Sequence, residues 1–137
     1  MLDDFMRRQE IDLMLLNEVT HANTSMTGNY TTHINIGTDG RGTAILVKEG
    51  ITLTNIQRIP SGRGIAATLH GISIVNIYAP TGSEKKRERE AFYSGEVATL
   101  LLIANMGTIL VGDFNCVISN ADCTGQSNCS KALERLV

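Results

Sequence analysis

The order of elements along the chain predicts an α/β fold in which a sheet is covered by helices on at least one side. Three observations carry this. Apolar runs of strand length recur at 11–19 (IDLMLLNEV), 43–48 (TAILVK) and 108–112 (TILVG). Several short strand-like runs follow one another between 43 and 79, broken by Gly and Pro. One long stretch after Ser83 repeats apolar residues at helical spacing.

Taken in order, Leu2, Phe5 and Met6 ahead of Gln9-Glu10 describe the last turns of a helix with one apolar side. Ile11 to Val19 is a compact apolar run expected to form a buried strand. Residues 20–32 are polar and loop-like. A set of strands then covers 43–48, 51–59 (ITLTNIQRI), 64–69 (GIAATL) and 72–79 (ISIVNIYA). His70-Gly71 makes a two-residue hairpin turn, since Gly accepts positive φ. Alternation of Ile72, Ile74, Asn76 and Tyr78 against Ser73, Val75, Ile77 and Ala79 puts one face on a core and leaves the other mixed. Ser83 is the expected N-cap of a helix reaching about Asn105, with Phe92, Val97, Leu100, Leu101 and Ala104 on its apolar side. Gly95 weakens its middle by up to about 1 kcal/mol relative to Ala. Thr108 to Gly112 is a further buried strand, and Ser130 caps a short last helix carrying Ala132, Leu133 and Leu136.

With 137 residues, 42% of them hydrophobic, the chain holds one domain with an ordinary apolar core. A net charge of −2 excludes a coat that grips nucleic acid by bulk electrostatics, though not a locally basic groove. No stretch approaches the roughly 18 apolar residues that cross a bilayer, and Asp3-Asp4 stand where a secretory signal carries positive charge. Cys116, Cys123 and Cys129 are an odd number without C-x-x-C spacing, expected as free thiols in a reducing compartment. Export, a membrane partner and a disulfide scaffold are therefore not expected.

Polar groups concentrate at three strand ends: Asn17-Glu18, Asn76-Ile77-Tyr78-Ala79-Pro80 and Gly112-Asp113-Phe114-Asn115. A carboxylate directly after LMLL or TILV is held by the ladder, so its oxygens address one fixed spot beyond the sheet. Metal-assisted hydrolysis needs that fixity. Mg²⁺ takes one or two carboxylates, keeps several waters and shares phosphate oxygens. Glu18 and Asp113 are the candidate acids, with Asn115 and Tyr78 as neutral donors toward a phosphate. Each has a plainer reading. Glu18 is a solvated strand end, Asp113 and Asn115 form an Asx turn, and Tyr78 is a half-buried aromatic. The acid- and base-rich run Lys85–Glu90 is expected as a solvated helix face. Arg41 and Arg63, flanked by glycines, sit in turns that a phosphate could approach.

The ordered trio LLNEV (15–19), VNIYAP (75–80) and VGDFN (111–115) resembles the endonuclease/exonuclease/phosphatase superfamily, more narrowly the apurinic-type endonuclease domain of non-LTR (LINE-like) retrotransposons. GTAILVK (42–48), GRGIAATLHGISIVNIYAPTG (62–82) and Asp122 to Leu136 extend the resemblance along most of the chain. It implies a partial four-layer α/β sandwich of DNase I-like type, with a mixed, mostly antiparallel sheet and covering helices. It implies Mg²⁺-dependent (alternatively Mn²⁺-dependent) hydrolysis of phosphodiester bonds. In that scheme Glu18 holds the metal, Asp113 orients and activates the attacking water, Asn115 steadies the phosphate and Asp113, and Tyr78 helps bind the phosphate. The implied partners are the DNA phosphate backbone and the remainder of a retrotransposon polyprotein, in an intracellular, nuclear setting. The reaction nicks DNA and leaves a 3′-hydroxyl to prime reverse transcription.

Two departures stand out. Asn17 occupies a place where the family usually has Gln, and the family's early Asn, late Asp and Ser-Asp-His motif have no match. Residues 1–137 are therefore expected to form a single incomplete domain, impaired as a nuclease and marginally stable because one sheet lacks cover. His21 and His33, near the early loop, and His70, in the turn, are expected as surface imidazoles and not as replacements for the missing one. A phosphatase or phospholipid phosphodiesterase of the same superfamily, or a non-catalytic remnant or interaction domain, remains an alternative.

Overall fold

A computed structural model describes residues 2–20, 28–103, 107–117 and 129–137. Expectations for His21, Ala104, Asn105 and Cys123, and for most of the stretch after Val117, lie outside the described residues.

A helix α1 (Leu2–Arg8) opens the chain, with Asp3 and Asp4 in its first turn and Arg7 and Arg8 in its last, matching the helix dipole at both ends. Three strands, β1 (Leu13–Val19), β2 (Tyr30–Ile36) and β3 (Gly42–Lys48), form an antiparallel sheet in the order β1-β3-β2. Four more, β4 (Thr54–Arg58), β5 (Gly64–Leu69), β6 (Ile72–Tyr78) and β7 (Thr108–Asp113), form a second sheet in that order. Only the β6–β7 pair is parallel in this sheet, because the chain crosses back over it through helix before β7.

The layers follow from which side chains alternate to which face. Met6 of α1 packs with Val19, Ala44 and Leu46 on the outer face of the first sheet. Ile45, Ile65 and Ala67 fill the space between the sheets, with Leu13, Leu15, Leu53 and Ile56 around them. On the outer face of the second sheet, Val75, Ile77 and Ala79 meet Phe92, Tyr93, Val97, Leu100 and Leu133. Helix, sheet, sheet, helix is a four-layer α/β sandwich. The described helices are short, and none is long and apolar enough to cross a membrane.

Several expectations are met closely. His70 (φ 49°) and Gly71 (φ 79°) form the two-residue turn between β5 and β6, both in the left-handed region that a tight hairpin requires. Ser130 caps α4 (Lys131–Glu134), its hydroxyl accepting from the Leu133 N–H.

Others are corrected. Residues 30–32, expected as loop, belong to β2, whose inner face is polar (His33, Asn35) and so lacks the apolar signature of a core strand. Asn35 instead donates across the sandwich to the carbonyls of Ile59 (2.7 Å) and Gly64 (2.9 Å). His33 is accordingly a half-buried strand residue and not a loop imidazole. β6 is buried on both faces because helices cover one side and the first sheet the other. β7, expected to be buried, is an edge strand with Ile109 52% and Val111 38% exposed.

The helix expected from Ser83 is broken into a 3₁₀ turn (Ser83–Lys85), α2 (Lys86–Phe92), a π turn (Tyr93–Val97) and α3 (Ala98–Ile103). Ser83 makes no side-chain cap, since the capping position falls on Gly82. Gly95 lies inside the π turn, where an extra residue per turn loosens the ladder. Arg89, expected on a solvated face, is 2% exposed. Its guanidinium donates to the carbonyls of Pro80 (3.1 Å) and Gly82 (2.7 Å), fastening the chain just after β6.

Candidate active site

The three strand ends singled out by sequence meet at one end of the sandwich. Tyr78 and Asp113 are register partners across the parallel β6–β7 pair, so their side chains leave the sheet on the same face. The Ala79 N–H donates to the Asp113 carbonyl at 2.8 Å, extending the pairing one step past Tyr78. Gly112 makes the approach possible. Its φ is 140°, and a Cβ there would land on the Ile77 carbonyl.

Glu18 arrives from the other sheet. Along β1, Leu13 and Leu15 face the second sheet while Met14 and Leu16 face α1. Strict alternation would place Glu18 under α1 with Met14 and Leu16. The ladder to β3 slips between Asn17 and Val19, and Glu18 adopts φ 55°. Val19 then takes the outward place, packed with Met6, and Glu18 turns toward β6. Its carboxylate then neighbours the Tyr78 hydroxyl closely enough to shift that hydroxyl's pKa.

Asn76, two residues before Tyr78 and 1% exposed, fixes this alignment. Its amide donates to the carbonyls of Leu16 (2.9 Å) and Ala44 (3.2 Å), linking the two sheets. The Asn76–Leu16 contact lies two residues before Tyr78 and Glu18 along β6 and β1, so it aligns the two strands and leaves the bulge to turn Glu18 toward Tyr78.

Asp113 and Asn115 do form the Asx turn of the plainer reading, with the Asn115 N–H donating to Asp113 Oδ1 at 3.0 Å. The turn also steadies the carboxylate while leaving Asp113 exposed to solvent. Asn115 (φ 48°) sends its amide to the Ala79 carbonyl at 2.7 Å, tying the ends of β6 and β7 together. Tyr93, fully buried on the π turn, donates its hydroxyl to the Phe114 carbonyl. The Cys116 thiol lies 3.5 Å from the same hydroxyl, and burial pushes that thiol above the ordinary cysteine range.

The electrostatics converge on Tyr78. Burial first, then the nearby carboxylate of Glu18, push its hydroxyl above the usual phenol range, and Asp113 adds to this. Arg63 opposes them, its guanidinium lying over the Tyr78 ring at 5.2 Å from the centroid. Sequence reading placed Arg63 in a turn but not at this site. The available signal was the His70-Gly71 turn, since counting back from it along β5 and β6 sets Arg63 opposite Tyr78. Arg41 sits apart in the β2–β3 turn, its N–H bonded to Asp39.

Among the described residues no group of three or more His, Cys, Asp and Glu side chains forms a metal cage. Two carboxylates around one hydroxyl, open to solvent at Glu18 and Asp113, are a hard-oxygen donor set. That suits an ion such as Mg²⁺, which keeps its waters and shares a substrate's oxygens, and does not suit a closed zinc site.

No family model matches the chain, and no curated protein matches it. Solved structures do. A 3′ phosphatase from Neisseria bound to a product DNA hairpin superposes with a TM-score of 0.71 at 18% identity, over 98% of this chain and 61% of that one. An AP endonuclease from Archaeoglobus fulgidus gives 0.64 at 16% identity, over 96% of this chain and 60% of that one. The human Nocturnin catalytic domain with a bound sulfate anion gives 0.62 at 18%, over 86% and 56%. The likeness is one of fold, the DNase I-like α/β sandwich, and the chain spans about three-fifths of the length of these structures.

Proposed function

We propose that this chain is part of a metal-dependent phosphodiesterase, a DNA-nicking endonuclease module of the non-LTR retrotransposon kind. The observation that carries the reading is the meeting of Glu18, Tyr78 and Asp113, brought from three strands of two sheets to one spot. A DNA hairpin bound by one structural neighbour and the AP endonuclease activity named for another support DNA as the substrate. The retrotransposon branch, with its polyprotein partner and nuclear setting, rests on the LLNEV, VNIYAP and VGDFN resemblance.

Glu18, with Asp113 acting on the same Tyr78 hydroxyl, would hold Mg²⁺, or Mn²⁺ in its place. The ion would neutralise charge developing on the phosphate. The chain's own groups do the rest. The Tyr78 hydroxyl, kept protonated by burial and by its acidic neighbours, donates to a nonbridging oxygen. Asp113 Oδ1 is occupied by the Asn115 N–H, which leaves Oδ2 to orient the attacking water and accept its proton. Asn115 and Arg89 hold the 79–82 segment in place around the phosphate.

Supercoiled plasmid incubated with the protein and Mg²⁺ tests this, with Asp113→Ala alongside. Slow conversion to relaxed circles, in keeping with an impaired nuclease, that disappears in the variant is expected. Folded wild-type protein that leaves the plasmid supercoiled overturns the reading.

A further inference from the structure

Beside Tyr78 stands a cation that the chemistry above does not use. Arg63 is tied to β6 by its own carbonyl, which accepts the Tyr78 N–H at 2.8 Å. Its N–H donates to Ser61 Oγ at 3.3 Å, and that hydroxyl in turn donates to the Glu96 carboxylate. Gly62, at φ 77°, lets the loop lie against the β2–β3 turn, because a Cβ there would strike the Gly37 backbone. The same turn carries Asp39. The Arg63 backbone is thus fixed on both sides, and its side chain is only 20% exposed.

The guanidinium is nevertheless not saturated by protein acceptors. Nη2 is 3.8 Å from Asp39 Oδ2, an ion-pair separation too long for a hydrogen bond. Nη1 is buried without a hydrogen-bond partner. A buried donor left unmatched is costly, and here it is retained against the ring of Tyr78. Asp39 is 53% exposed, so its hold on Arg63 is weak and screened by salt. Glu18 and Asp113 would repel a phosphodiester, and Arg63 brings a positive charge that reaches the same Tyr78 hydroxyl. A planar guanidinium presents paired donors that match phosphate oxygens.

We propose that Arg63 is the phosphate clamp of this site, exchanging Asp39 for the nonbridging oxygens of the nucleic-acid phosphodiester that faces Tyr78. The inference rests on the phosphodiesterase reading for the identity of the ligand and on nothing else in it.

The test measures binding of a labelled DNA duplex by fluorescence anisotropy across a salt series, with Ca²⁺ present. Arg63→Gln is expected to weaken binding about tenfold or more. It also lowers the slope of log affinity against log salt by about 0.9, the value of one lost phosphate contact. Arg63→Lys recovers the slope but not the full affinity. Asp39→Asn keeps an oxygen for the Arg41 N–H yet frees the clamp, and so tightens binding, a change that a merely structural Arg63–Asp39 pair would not produce. An unchanged slope in Arg63→Gln, unchanged or weaker binding in Asp39→Asn, or wild-type protein that does not bind the duplex overturns the clamp. Plasmid nicking run in parallel separates the two ideas. A lost slope without nicking retains the clamp and sinks the nuclease, and nicking with an intact slope does the reverse.

Discussion

The Asn76 amide reaches across the sandwich to the Leu16 carbonyl at 2.9 Å, and two residues further along both strands Tyr78 meets Glu18. A contact deep in the core thereby aligns β1 with β6, and the bulge at Glu18 then turns the carboxylate to Tyr78.

Replacing that amide tests the linkage. Asn76→Ala is expected to cost about 1–3 kcal/mol, since the Leu16 and Ala44 carbonyls lose a buried donor. Asn76→Asp costs more, because an acid would face two carbonyl oxygens. Urea midpoints measured for the three proteins should fall in the order wild type, Ala, Asp.

Glu18 holds a left-handed backbone conformation that disfavours any residue with a Cβ, at about 1–2 kcal/mol. Glu18→Gly should relieve part of that strain and raise the thermal midpoint while removing plasmid nicking. A variant that melts lower than wild type would show that the bulge is not strained.

At Gly112 the sign is opposite. Gly112→Ala places a methyl against the Ile77 backbone at φ 140°, with an expected loss of at least ~2 kcal/mol. Amide hydrogen exchange should show the β6–β7 pairing opening in this variant ahead of the β5–β6 pairing.

His33 gives the protein a pH dependence. Burial first, then the Arg58 charge, lower its folded-state pKa below the ordinary 6.5. The unfolded chain then binds more protons as pH falls below about 6.5, so stability is full above that value and declines beneath it, levelling off once pH passes the folded-state pKa. Denaturant midpoints should drop between neutral and mildly acid pH, and His33→Gln should flatten that part of the curve.

Much of the layout was legible in the chain itself. The apolar runs ending in Glu18, Tyr78 and Asp113 mark strands whose last residues project past a sheet, and the His70-Gly71 turn and the Ser130 cap follow from local backbone preference alone. β2 was not legible, because its inward residues are polar and find their partners in Ile59 and Gly64, far along the sequence. Nor was the burial of Arg89, whose alternating neighbours look like any solvated helix until the Pro80 and Gly82 carbonyls are brought beneath it.

The sequence by itself determined which residues can do phosphate chemistry and that each sits at the end of a strand. It could not decide where Glu18 points. Period-two alternation sends that carboxylate beneath α1 with Met14 and Leu16. Only the register slip against β3, which lets Val19 take the outer place, turns it to Tyr78. The same holds for the pairing of Arg63 with Asp39: the β5–β6 hairpin register alone sets Arg63 opposite Tyr78, but Asp39 comes near only once the β4–β5 loop is pressed against the β2–β3 turn. Side-chain direction at a bulge and contact between distant loops are set by how two sheets pack, and that information is not local to any stretch of the chain.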